Sequence, residues 1–179
     1  MTFQIALHIQ GDLPAVLRTC DMEVPKGDEQ SPHDKLVHVL SAQCRALAAT
    51  GRASFLVGGF GQDPWPVDVQ TDLAVVLEQL PDVLSSLRGG EETFCLNFYE
   101  QGIERYLTGT KHGEDVTLEC MSLSLRWSPD PSVEVLGIVE VERMLRKLRD
   151  VYTATVETIC PWLTQEPSFK RWSREAGAS

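Results

Sequence analysis

The densest group of reactive side chains runs Asn97-Phe98-Tyr99-Glu100-Gln101-Gly102-Ile103-Glu104-Arg105. Gln101-Gly102 predicts a turn, so Glu100, Glu104 and Arg105 are expected to flank a hairpin tip with Tyr99 at its base. Two carboxylates at a turn have three readings: a general acid and base, an anionic patch for a cationic partner, or the solvated rim of a hairpin. Upstream, Trp65-Pro66-Val67-Asp68-Val69 adds an aromatic ring and a carboxylate in an extended piece, since Pro66 does not sit inside a helix. The candidate partner-binding surface is therefore the 62–72 loop with the 99–105 hairpin. Trp65 and Tyr99 are its aromatic anchors, and Asp68, Glu100 and Glu104 carry its charge. A core tyrosine and a tryptophan buried against a sheet are the structural readings of the same two rings.

Other chemistry finds little support. His33 and His38 are five residues apart, which does not put them on one helical face as a metal pair requires. His8 alternates away from Phe3, Ile5 and Leu7, and His112 falls in a predicted turn; Asp34 and His38 suit a minor surface contact. No G-x-S-x-G elbow occurs. Gly58-Gly59-Phe60-Gly61 lacks the spacing of a dinucleotide fingerprint and the Lys-Ser/Thr of a P-loop, so a tight turn or bulge is expected. Five scattered cysteines, Cys20, Cys44, Cys95, Cys120 and Cys160, match neither a disulfide framework nor a zinc site and are expected to be unbridged core residues. No catalytic residue, metal site or cofactor is assigned.

The chain has 179 residues, 42% hydrophobic and 23% charged, which suits one α+β domain with one core. Its net charge is −10. Residues 1–142 hold 22 acidic against 9 basic residues, while 143–179 hold 4 against 7. Such an acidic body repels phosphate backbones, which argues against nucleic acid, and attracts basic partners. No apolar run reaches the roughly 18–20 residues that span a bilayer, and no secretory signal is visible, so a cytoplasmic location without membrane contact is expected.

Periodicity supplies the elements. Phe3, Ile5, Leu7 and Ile9 alternate as a half-buried strand, followed by a loop over 11–32 with a short strand at 15–17. Ser31, Pro32 and Asp34 mark a helix start, and Gly51 its end. Residues 53–57 form a short strand. A second helix carries Leu73, Val76, Leu77, Leu80, Val83, Leu84 and Leu87, and Pro81 should kink or split it. Three strands near 94–99, 103–108 and 116–127 make an antiparallel meander that Pro129 and Pro131 stop. A long helix then buries Val141, Leu145, Leu148, Tyr152 and Val156, with Arg143, Arg146, Lys147 and Arg149 largely outside. Residues 163–179 are expected as a loosely packed tail, with one or two further turns around Phe169 and Trp172 before the chain frays. The fold class is α+β, an antiparallel sheet with helices packed mainly on one face.

The order Phe55-Leu56-Val57-Gly58-Gly59-Phe60-Gly61, Trp65–Val69, the 73–87 helix and Phe98–Arg105 resembles small acidic actinobacterial-type proteins similar to immunity proteins of polymorphic toxin systems. The likeness covers roughly residues 53–127. It implies a cytosolic, non-enzymatic protein that neutralises a cognate toxin domain with a basic surface by binding it. The rival expectations are a small enzyme using the carboxylates of the 99–105 hairpin, and a structural subunit that dimerises through the long C-terminal helix.

Overall fold

A computed structural model describes residues 2–13, 31–124 and 126–177. The strand expected at 15–17 and Cys20 lie outside the described residues. Strand β1 (Gln4–Ile9) pairs antiparallel with β2 (Ala53–Gly58), with Ile5 opposite Val57 and Leu7 opposite Phe55. Between them, α1 (Pro32–Ala49) starts on a capping box. Ser31 Oγ accepts from the Asp34 N–H at 3.1 Å and the Asp34 carboxylate accepts from the Ser31 N–H at 3.2 Å.

Helix α2 (Asp72–Arg88) is followed by an antiparallel meander of β3 (Thr93–Phe98), β4 (Arg105–His112), β5 (Asp115–Ser122) and β6 (Val133–Gly137), in that spatial order. Its inner face buries Phe94, Leu96, Phe98, Leu107, Val116, Leu118 and Leu136 under the helices, while Tyr106, Met121, Val133 and Val135 are exposed on the other face. Helix α2 lies deepest, between β3, α1 and the last helix, α4 (Pro167–Gly177), so apolar residues surround most of it. Helix α3 (Ile138–Ile159) packs its stripe of Val141, Leu145, Leu148, Tyr152 and Val156 against β1, α1 and α2. The α+β class and the one-sided packing are as expected.

Several local expectations are corrected. Helix α2 runs unbroken through Pro81. The ring leaves the Leu77 carbonyl without its usual donor four residues on, and the Trp172 indole N–H fills that place at 2.7 Å. The same bond explains why 163–177 is not a loose tail. A 3-10 turn at Leu163–Gln165 leads into α4 (Pro167–Gly177), which buries Phe169, Trp172 and Ala176. The third meander strand stops at Ser122 rather than continuing to Trp127, and β6, hidden behind Pro129 and Pro131, was not expected. Residues 65–69 form no strand. Cys44, Cys120 and Cys160 are buried and Cys95, expected in the core, is exposed on an outward position of β3; these four are unbridged.

Candidate functional site

The start of α2 and the β3–β4 turn meet in an acidic corner. Asp68 orders the approach to the helix: its Oδ1 accepts from the Thr71 N–H at 2.7 Å and its Oδ2 from the Thr71 hydroxyl at 2.9 Å. The Asp68 N–H donates to Asp72 Oδ2 at 2.8 Å. These bonds occupy a helix N-terminus whose Thr71 offers no side-chain cap of its own. Asp72 is only 4% exposed, and its Oδ1 has no partner among the described residues. Burial first, then the nearby Asp68 and Glu100 charges, push its carboxyl up to about 6, with the Asp68 N–H opposing them.

Tyr99 follows β3 and keeps 48% of its surface exposed. Its hydroxyl donates to Glu78 Oε1 from the second turn of α2. Burial of the phenol, that hydrogen bond and the Glu78 and Glu100 charges all hold its pKa well above the ordinary tyrosine value. The turn itself is closed by the Glu100 carbonyl, which accepts from the Ile103 N–H at 3.2 Å and the Glu104 N–H at 3.3 Å. Gly102 (φ 102°) and Glu104 (φ 40°) take left-handed backbone, which a glutamate adopts only under constraint. The constraint is the Leu123 N–H, which holds the Glu104 carbonyl at 3.0 Å.

Among the described residues, ion pairs form at Arg88–Glu142, Arg146–Glu142 and Arg149–Asp150. All of these lie on α3 and the end of α2. No ion pair of the described residues reaches Asp68, Asp72, Glu78, Glu100 or Glu104, and the described residues contain no group of three or more side chains suited to a metal ion.

Of the residues read from sequence, Asp68, Tyr99 and Glu100 are thus brought together, with Asp72 and Glu78 added. Glu104 stands half-buried on the far side of the same turn. Trp65 is removed from the set: it is 2% exposed, and the expectation of a surface anchor is corrected. Its ring lies edge-on to Phe98 at 5.3 Å and tilts against Phe3, Phe60 and Trp127, and its indole N–H donates to the Gly59 carbonyl at 3.1 Å. An amphipathic ring with its polar atom satisfied gains more from that cluster than from water.

Arg105, expected on the hairpin rim, is likewise buried at 3% exposure. Its guanidinium carbon lies 3.5 Å from the Trp127 ring centre and 4.3 Å from that of Trp65, and one nitrogen donates to Gln62 Oε1. Its Nε and Nη1 have no partner among the described residues, and loss of water lowers its pKa to about 10, so it stays charged at neutral pH. Nearby, Glu134 of β6 is 7% exposed and accepts from the Phe3 N–H and, at 2.5 Å, the Phe60 N–H, joining the two sheets. The glycine turn fits beneath: a Cβ at Gly59 would lie 2.7 Å from Phe3 Cα and one at Gly61 2.0 Å from the Asp130 carbonyl oxygen. Strand parity was the available signal for both charged residues, because Arg105 shares its face with Leu107, and Glu134 with Leu136.

No protein-family model matches the chain, and neither a curated protein nor a solved structure matches it.

Proposed function

We propose that this is a protein-binding module whose acidic corner receives a basic surface of another protein. The observation that carries the reading is the gathering of Asp68, Asp72 and Glu100 beside the half-exposed Tyr99, itself flanked by Glu78 and Glu100, with none of the ion pairs among the described residues reaching these carboxylates. Carboxylates this close repel one another, a smaller contribution beside burial to the raised Asp72 pKa, and a partner's lysines or arginines relieve that repulsion. A tyrosine held by one hydrogen bond and otherwise open is the residue type that dominates binding hot spots. The resemblance to immunity proteins supplies the partner class: a cognate toxin domain, neutralised in the bacterial cytosol.

The test uses whatever protein the neighbouring gene encodes, with association rate measured against ionic strength. Exposed charges are screened within about 8 Å at physiological salt, so wild-type association should slow as salt rises. Glu100→Lys/Glu104→Lys should reduce the low-salt rate by about tenfold or more and flatten the salt dependence. A rate indifferent to salt, or a double variant that associates like the parent, would sink the reading.

A second reading, a small enzyme using these carboxylates, has one observation on its side, the Asp72 carboxyl near 6, within reach of acid–base work. Its 4% exposure keeps that carboxyl from meeting a substrate directly. The third expectation, a structural subunit that dimerises through the long C-terminal helix, has less to support it, since the apolar stripe of α3 is buried inside the fold.

A further inference from the structure

The outer face of the four-stranded sheet leaves a row of large apolar side chains in water beside the turn that carries the acidic corner. Tyr106 and Met121 are direct antiparallel partners on β4 and β5, 36% and 59% exposed. Leu123, 57% exposed, continues the row. Its N–H holds the Glu104 carbonyl at 3.0 Å, which extends the β4–β5 ladder by one step, and by alternation its side chain shares the face of Met121. That bond ties the row to the turn bearing Glu100 and Glu104. Asn97 of β3 stands opposite Tyr106, and Glu119, exposed on β5, lies one step along the same face from Met121. The segment after the row carries Arg126 and Asp130, which balance in charge. Glu104 and Glu119 therefore set the sign of the border.

Contiguous exposed apolar groups with a polar rim are the anatomy of a contact surface. Charge attraction chiefly governs encounter and orientation, whereas the lifetime of a complex comes from anchors that lose their water on binding. The acidic corner by itself offers one ring, Tyr99, already tied to Glu78. We propose that Tyr106, Met121 and Leu123 form the apolar centre of the contact whose acidic rim is the corner, so that the partner presents an apolar knob bordered by lysines or arginines. This rests on the protein-binding reading above and adds what the partner's surface must contain. A second copy of this chain is a poor occupant, because it would bring a net charge of −10, with its own Glu104 and Glu119, against the same carboxylates. Val135, opposite Thr117 and four residues along β5 from Met121, lies roughly 13 Å farther down the face and outside a contact centred on the turn.

Dissociation rates separate the row from the corner. With the protein that the neighbouring gene encodes as the probe, Met121→Ser/Leu123→Ser should speed dissociation at least about tenfold. Its low-salt association rate and salt dependence should stay within about twofold of wild type, since no charge has changed. Tyr106→Ser should behave in the same way, Val135→Ser should bind like the parent, and all of these surface variants should melt with it. A second measurement needs no variant: in the wild-type complex, magnetisation transferred from the partner should reach the methyl groups of Met121 and Leu123. Unchanged dissociation of the serine variants, or transfer confined to the corner, overturns the apolar centre and leaves the acidic corner standing. Faster dissociation of those variants together with salt-independent association keeps the row and sinks the corner. An equal loss from Val135→Ser, or self-association of the wild type that the serine variants abolish, gives the face to another occupant and overturns the proposal. No association at all sinks both.

Discussion

Asp72 shows how a single side chain ties the acidic corner to the stability of the fold. Burial, with the Asp68 and Glu100 charges adding to it, pushes its carboxyl up to about 6 in the folded chain, above the ordinary aspartate value of 3.8. Between those values the folded state holds more protons than the unfolded one, so this group makes stability fall as pH rises through that window. Asp72→Asn keeps an acceptor for the Asp68 N–H and removes the charge. The variant should melt above the wild type at about pH 8, and the gap should close toward about pH 4, where the wild-type carboxyl is neutral in the folded state. Calorimetric melts across that range decide it, and a gap that widens on acidification would contradict the assignment. At this scale the types in the corner were readable from sequence, since Asp68, Tyr99 and Glu100 do converge. The environment of Trp65 and Arg105 was not. Both are amphipathic residues whose polar atoms suit water or a partner equally well, and only the shape of the Phe3, Phe60, Phe98 and Trp127 cluster settled which.

Elements were read well where period and punctuation agreed. The α1 start, with serine, proline and aspartate in cap order, folds as those residues require, because capping is a contact among neighbours in sequence. Helix α2 is the instructive exception. Proline removes an N–H locally, yet the orphaned Leu77 carbonyl is repaired by Trp172, 95 residues away. Trp172→Phe keeps most of the apolar contact with Tyr152 and Phe169 and deletes only the donor. It should cost about 1–3 kcal/mol of unfolding free energy, the penalty for a buried carbonyl left unpaired. Pro81→Ala in the same background should recover part of that loss, since an alanine N–H can again reach Leu77. Denaturant unfolding of the two variants measures both, and an unchanged midpoint for Trp172→Phe would show the bond to be dispensable. Strand β6 was missed for a related reason: two prolines just before it read as a terminus, whereas its ladder with β5 is set by residues distant in sequence.

In the molecule as a whole, α3 is the tie between the parts, packing on β1, α1 and α2, following directly on β6 and meeting α4 near its middle through Arg149 and Tyr152. Leu148 is 1% exposed at the middle of that helix. Leu148→Asp puts an unpaired charge where several elements meet, and it should destabilise by about 3–5 kcal/mol, a large share of what a domain this size has. Near-parental melting of the purified variant would place α3 elsewhere. What the sequence by itself determined about this protein is its α+β class, its helix faces and its acidic balance, because alternation, helical period and net charge are properties of the chain alone. The tertiary structure decided that residues 163–177 belong to the core, that Trp65 and Arg105 are interior, and that Gln79 of α2 closes the Asn97 backbone at the β3 edge. Each of those depends on which distant group supplies the missing hydrogen bond or covers the ring, and such pairings form only when elements far apart in sequence are packed together.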